Sequence, residues 1–224
     1  MKKFNYLILT AFLFLAVSCN VQMPLSKEYL SKPSKVGVYV NVNPAQKYRA
    51  GSQGLLDLAL TSGDKYSPLL KIANDQYNPK VELQQMYMDI LKSKGKEVVL
   101  IDEKFDPKTA TKFKGEKVGD KKYSNYDFRE LKAKYNVDEI IFVNLVWGVQ
   151  ISYYSMIETG RNGYAYFDNR IVDLNDNSLY LANDNFQLIP IKGKWNTPPN
   201  YEVAEKAINE ALQKGMEKEK SLFN

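Results

Sequence analysis

The stretch Ile140-Ile141-Phe142-Val143-Asn144-Leu145-Val146-Trp147 is apolar at every position but one. A strand with one wet face alternates, whereas a near-continuous apolar run of this length reads as a central strand buried on both faces of a layered sheet. Beyond Gly148 the pattern opens. Val149, Ile151 and Tyr153 alternate with Gln150 and Ser152, so the strand is expected to leave the core as a half-exposed ribbon. Residues 158–163 (ETGRNG) read as the hairpin turn that sends it back. YAYFDNRIVDL then returns, DLNDNS turns again, with Asn175 and Asn177 placed there for turn geometry, and LYLANDNFQLIPI forms a further strand.

The elements before and after follow the same logic. Valines at 36, 38, 40 and 42 mark a first strand, and residues 97–102 (EVVLID) a second. Between them, Gln53–Leu60 is a short Leu-rich helix, and the pattern-breaking NPAQKYRAGSQG before it reads as loop. Ser67-Pro68 and Asn78-Pro79 each read as N-cap plus Pro at N1. In the second of these helices Leu83, Met86, Tyr87, Ile90 and Leu91 share one face, and Gly95 suits the C′ position. Residues 103–124 hold seven lysines and read as a solvent-facing loop. Asp127–Tyr135 is a short helix with Phe128 and Leu131 inward, and residues 201–223 are an amphipathic helix with Val203, Ala207, Ile208, Ala211 and Leu212 as its stripe. The order predicts an α/β fold: a mixed parallel/antiparallel sheet packed against helices that lie mostly on one face. The first three strands are parallel and the late ones antiparallel.

The amino terminus carries a basic pair, Lys2 and Lys3, and an apolar segment from Tyr6 to Val17 broken only by Thr10. It is too short for a mature span, which needs roughly 20 apolar residues. Leu15-Ala16-Val17-Ser18-Cys19 resembles the lipobox of bacterial lipoproteins. The resemblance implies that residues 1–18 are a lipoprotein signal peptide, that Cys19 becomes the acylated first residue, and that the protein's partner there is the lipid bilayer. It explains why exactly one cysteine is present. On this reading residues 19–34 are the lipidated terminus and a short tether, and residues 35–224 a single α/β domain. Asn20 stands where retention in the inner membrane commonly calls for Asp, so the expected location is the cell envelope, lipid-anchored to the outer membrane and facing the periplasm.

Several chemistries drop out. The chain has no histidine, so Ser-His-Asp, Cys-His and His-ligated zinc arrangements are unavailable. The formal charge of +5 loses two lysines with the signal peptide and is too small a bias to argue for nucleic acid. KSKGKE lacks the phosphate-loop spacing, and no cofactor or metal pattern stands out. Asp102 and Glu103 end one strand while Asp138 and Glu139 begin another at its opposite end, so the two pairs are not expected to form one site.

A lipobox leading into VGVYV, a helix ending in GKEVV, the unit Val137-Asp138-Glu139-Ile140-Ile141-Phe142-Val143 and the later Arg170-Ile171-Val172-Asp173 together resemble envelope lipoproteins. The relatives meant are those of the TolB N-terminal domain, the curli secretion lipoprotein CsgG and the penicillin-binding-protein activators. The likeness runs over roughly residues 35–215. It implies a TolB N-terminal-domain-like fold with a long hairpin in the C-terminal half. An amphipathic membrane-inserting pair of the curli pore type is not evident.

Tyr153, Tyr154, Tyr164, Tyr166 and Phe167 cluster around the expected hairpin, and Trp195 sits in a Gly/Lys/Pro loop as an exposed anchor. These form the candidate partner surface, since aromatic residues are enriched at interface hot spots; ordinary cross-strand pairing is the competing explanation. Trp147 is expected in the core. The lysines of 104–122 either meet anionic headgroups beside the anchor or form a solvated loop. The function expected is that of a non-catalytic envelope lipoprotein, an adaptor or assembly subunit that binds an envelope protein or its own copies. A homo-oligomeric secretion or export component and a carboxylate-based envelope hydrolase are the alternatives. The hydrolase would need two acids converging in a cleft, one with a raised pKa.

Overall fold

The computed structural model describes residues 22–199 and 201–224; the stretch expected as a signal peptide, the expected acylation site Cys19 and Asn20 lie outside them. In chain order the elements are α1 (Lys27–Ser31), β1 (Lys35–Val42), β2 (Gln46–Ser52), α2 (Leu55–Leu60), α3 (Ser67–Gln76), α4 (Pro79–Ser93) and β3 (Glu97–Ile101). They continue with α5 (Glu130–Tyr135), β4 (Glu139–Tyr154), β5 (Ile157–Asp173), β6 (Leu179–Pro190) and α6 (Glu202–Ser221).

The apolar run does form the middle of the sheet. The strand order is β3-β1-β4-β5-β6, parallel on the β3-β1-β4 side and antiparallel through β4-β5-β6. One strand was not legible as such. β2 lies parallel to the upper half of β4, from Gln46↔Gly148 to Ser52↔Tyr154, so β1 and β2 run along the same edge of β4, one beyond the other. Residues 43–45 bridge them, and Trp147 Nε1 donates to the Asn43 carbonyl at 2.7 Å. Gly148 adopts φ 135°, and a Cβ there would meet the Gln46 carbonyl oxygen at 2.2 Å, so only glycine permits this strand junction.

Helices α3, α4 and α6 cover one face of the sheet over Val38, Ile141, Val143, Leu145, Trp147, Phe167 and Ile171. The cover is tight where α6 crosses β5: a Cβ on Gly163 would stand 2.1 Å from the Ala207 carbonyl oxygen, and one on Gly215 would stand 2.1 Å from the Phe167 ring. The α6 stripe is as expected except that Ala204 is buried and Val203 is exposed. Asn78 caps α4, its side chain accepting from Val81 N, and Gly95 takes a positive φ just past the helix end. In α3 the cap is Tyr66, one residue earlier than expected, with Pro68 inside the first turn.

Among the described residues the second face is covered only over its lower half. There α5 and the 103–128 loop bury Tyr39, Ile140, Phe142, Val172 and Phe128. The loop is therefore more than solvated chain: Phe105 packs 4.7 Å from Phe142 and 4.9 Å from Tyr126 between ring centroids. Asn177 holds it down. At φ 68° it makes the β5–β6 turn, and its buried side chain accepts from Phe128 N and donates to the carbonyls of Ser124 and Tyr126.

Residues 22–34, expected as a tether, instead pack on the domain. Met23 pairs with Ala182 on the outer edge of β6, and Tyr29 is buried against Tyr180 with ring centroids 5.1 Å apart.

Candidate functional site

The β4–β5 hairpin turns at Ser155-Met156, not at 158–163. Register pairs Tyr154 with Ile157, and residues 158–163 already belong to β5. The glycines that suggested a turn serve packing instead: Gly163 admits α6, and Gly160 lies opposite Ser152. The bend itself uses Ser155 at φ 53° and carries no sequence signal for a turn.

This correction redistributes the candidate aromatic residues. Tyr153 and Phe167 point into the helical face and are buried. Tyr164 and Tyr166 lie half-buried on the open upper half of the second face, in a row with Tyr48, Phe186 and Leu188. Tyr48 and Tyr164 rings are 4.6 Å apart, Tyr164 and Phe186 rings 5.4 Å. Trp195 is not an exposed anchor. It is 7 % exposed and stacks on Tyr66 at 4.7 Å, with Lys65 and Arg161 each 5.4 Å from its ring. Glu158 Oε2 ties this corner together, accepting from Lys65 at 2.9 Å, the Tyr66 hydroxyl at 2.9 Å and Arg161 at 2.6 Å. Burial works to raise the Glu158 carboxyl, but these three donors hold it below its ordinary range. Only Tyr154 of the six candidates is broadly exposed, at 72 %.

Tyr154 has company that the sequence reading did not supply. Met156 and Ile157 at the bend are 52 % and 66 % exposed, and α2 beside them exposes Leu55, Leu56, Leu58 and Leu60. Helix α2 buries none of its residues. Polar bonds fasten it to the bend: Gln53 Nε2 donates to the Ser155 carbonyl at 2.9 Å, and Ser155 Oγ donates to Asp57 Oδ1 at 3.1 Å. Arg49 donates to the Thr61 carbonyl at 2.6 Å from below. The polar groups thus face inward and the leucines outward, reversing the arrangement of a surface helix. The result is a fixed apolar tip at one end of the molecule, of the kind that marks an interaction site.

As expected, the two carboxylate pairs do not form one site. Asp102 pairs with Lys80, and Glu103 pairs with Lys134 at 2.6 Å and accepts from the Tyr135 hydroxyl. Hydrogen bonds from these partners lower both carboxyls from their usual range. Glu139 is at the other end of the strands, buried against Lys96. Among the described residues no group of three or more acids or cysteines is placed to hold a metal ion.

A different pair was missed. Asp168 and Asp184 are cross-strand neighbours on the second face, bridged by Arg170. Arg170 Nη1 spends its two protons on the carbonyls of Asn169 and Asn183, so Asp168 Oδ1 lies 2.9 Å from it without receiving a hydrogen bond. Asp184 Oδ1 accepts from Arg170 Nη2 and the Tyr166 hydroxyl, and its Oδ2 has no donor. Burial, opposed by Arg170 and aided by Asp184, raises the Asp168 carboxyl. Asp168 and Arg170 line a cavity of about 280 Å³, walled by Tyr123, Tyr126 and Leu179. In the sequence they read only as polar positions of an alternating strand.

No family model matches this chain, and no curated protein does. Among solved structures, a PelC dodecamer from Paraburkholderia phytofirmans is similar at 10 % identity with a TM-score of 0.29, over 86 % of this chain and 92 % of that one. The hypothetical protein CT253 from Chlamydia trachomatis is similar at 11 % identity with a TM-score of 0.30, over 84 % and 97 %. Likenesses this remote carry no argument about family, assembly or function. What stands is a mixed α/β fold with a six-stranded sheet packed against several helices.

Proposed function

We propose that the protein is a non-catalytic, lipid-anchored subunit of the cell envelope that docks a protein partner, another envelope protein or a further copy of itself, through the α2/hairpin tip. The observation that carries this reading is the tip itself. Seven apolar side chains stand exposed on a platform fastened by the inward bonds of Arg49, Gln53, Asp57 and Ser155, an arrangement that covering by apolar surface would stabilise. The acylated Cys19 supplies the membrane association, and the packing of residues 22–34 on the domain keeps the domain close to the bilayer.

The test is substitution of Met156→Asp together with Ile157→Asp. Both side chains are exposed, so stability should stay within about 0.5 kcal/mol of the parent. A photo-crosslinker at Leu56 should join the parent to one defined species in its own membranes. The double variant should lose that product by about tenfold or more, as expected when a hot spot is disrupted. A product of self alone would make the partner a second copy. An unchanged crosslink in the double variant would sink the tip as the docking surface.

One observation favours a second reading, the carboxylate-based envelope hydrolase. Asp168, with its raised carboxyl, stands beside Asp184 at an open polar cavity. On that reading Asp168→Asn should abolish release of reducing ends from cell-wall glycan while the variant unfolds at the parent's urea midpoint. Absence of any such release by the parent protein ends it.

A further inference from the structure

We infer that the lysine-rich loop between β3 and α5 is a docking surface for an anionic bilayer, set beside the lipid anchor; this deepens the membrane-anchored reading and rests on it for the position of Cys19. All seven lysines of the loop are exposed. Lys121 is paired with Asp176, and Lys112 lies 3.8 Å from the Tyr126 ring centroid. Lys104, Lys108, Lys114, Lys117 and Lys122 have no ion pair among the described residues, while Glu103, one of the loop's four carboxylates, is taken by Lys134.

The loop is held in place, so its charges form a surface. Phe113 and Tyr123 stack at 5.3 Å and 10°, Lys112 bridges to Tyr126, and Tyr123 bridges to Ser178. Its end is bonded to the start of β6, Leu179 N donating to the Lys122 carbonyl at 2.8 Å. Exposed Lys32 approaches the next residue of β6 from the other segment, 5.9 Å from the Tyr180 ring. Two residues further on, Ala182 exchanges both backbone bonds with Met23, at 2.7 and 3.1 Å. The end of the lysine loop and Lys32 thus both adjoin the start of β6, within three residues of where the amino-terminal arm is stapled.

Chain length completes the argument. Cys19 is four residues from Met23, a reach of at most about 14 Å at roughly 3.5 Å per residue. An acyl chain on Cys19 brings this corner of the domain to the headgroups, within one to two Debye lengths. One acyl chain binds marginally and is reinforced by a basic patch, and each lysine near an anionic surface strengthens attraction by about fivefold. The apolar tip lies elsewhere. Met23 sits at the level of Arg170, and the bend at Met156 is some 40 Å further along β5 at about 3.3 Å per residue. The corner that meets the membrane is thus separate from the end that meets a protein.

The test is lysine acylation read by mass spectrometry on the full chain added to vesicles of phosphatidylcholine alone, or with a one-third admixture of phosphatidylglycerol. Lys114, Lys117 and Lys122 should be labelled about threefold more slowly on the anionic vesicles, and high salt should restore the rate. Lys71 and Lys214, on helices of the other face, should not change. Equal labelling on both vesicles, or failure to associate with the anionic ones, overturns the loop as a docking surface. Reversal to Lys114→Glu, Lys117→Glu and Lys122→Glu should remove the preference for anionic vesicles and leave the urea midpoint unchanged. The anchor reading is judged separately, by the mass of the Cys19 peptide from native membranes. An unmodified Cys19 with protected loop lysines would end that reading and keep the loop.

Discussion

Lys96→Met should lower the stability of the domain by about 3–5 kcal/mol, the cost of leaving a buried charge without its partner. Lys96 and Glu139 are 0 % and 2 % exposed, and Lys96 Nζ is 3.2 Å from Glu139 Oε1. Ser34 Oγ bridges them, accepting from Lys96 at 2.7 Å and donating to Glu139 at 2.7 Å. The ammonium also donates to the Lys32 carbonyl at 3.0 Å and lies 4.1 Å from the Tyr29 ring centroid. Methionine keeps the stem and removes the charge, so Glu139 stays in the interior without a cation. With a urea dependence of about 2 kcal/mol per molar, the midpoint should fall by roughly 2 M. The double variant Lys96→Met with Glu139→Leu should recover most of the loss, because a buried pair is worth little against an apolar replacement. A single variant within about 1 kcal/mol of the parent would show that water reaches Glu139. Since three of the contacts to Lys96 come from the 29–34 segment, the single variant should also expose that arm to trypsin before the sheet unfolds.

Glu219→Ala should be nearly as costly, about 3–5 kcal/mol, through a different mechanism. Four donors end on this one carboxylate: the Tyr87 hydroxyl and Asn169 on Oε2, Asn183 and Asn185 on Oε1. They come from α4, β5 and β6, so the last turns of α6 are fixed to three elements at once. Removing the acceptor leaves buried donors unmet at about 1–3 kcal/mol each, partly relieved by relaxation. The pH dependence follows from the same geometry. Burial raises the carboxyl above its ordinary value of 4.5, and the four donors pull it only part of the way back. The folded state therefore holds this proton more tightly than the unfolded chain. The stabilising contribution is full below about pH 4.5 and is lost as pH rises through the higher folded value. Glu219→Gln does not titrate, so the parent should lose stability relative to it as pH rises above about 4.5. A constant difference above pH 4.5 would show that Glu219 keeps its ordinary affinity for the proton.

These two sites also mark where reading the chain stops. Lys96 lies in KGKEVV and Glu219 in EKEKS, and both look like solvated surface. Glu219 did carry a signal: it follows Leu212 and Met216 at helical spacing, which places it on the buried stripe. Lys96 carried none, since its burial depends on the 29–34 segment folding back over it. The turn at 155–156 was missed for a related reason. Glycine at 160 and 163 signals backbone freedom or close approach without saying which, and the approaching partner, α6, is more than forty residues away. The leucines of 55–60 were legible as a helix, yet their exposure was not, because a short apolar stretch reads as buried until the sheet beneath it is known.

Periodicity and local chemistry alone determined the central strand, the helices opened at Asn78-Pro79 and by the C-terminal stripe, and the parallel-then-antiparallel order. Those features rest on interactions between residues a few positions apart, and such spacing is written in the sequence. The tertiary structure decided β2 as a strand, the docking of residues 22–34, the burial of Trp195, the inward pairs at Lys96 and Asp168, and the outward leucines of α2. Each of these depends on which distant segment covers a residue, and burial by a distant segment leaves no period behind.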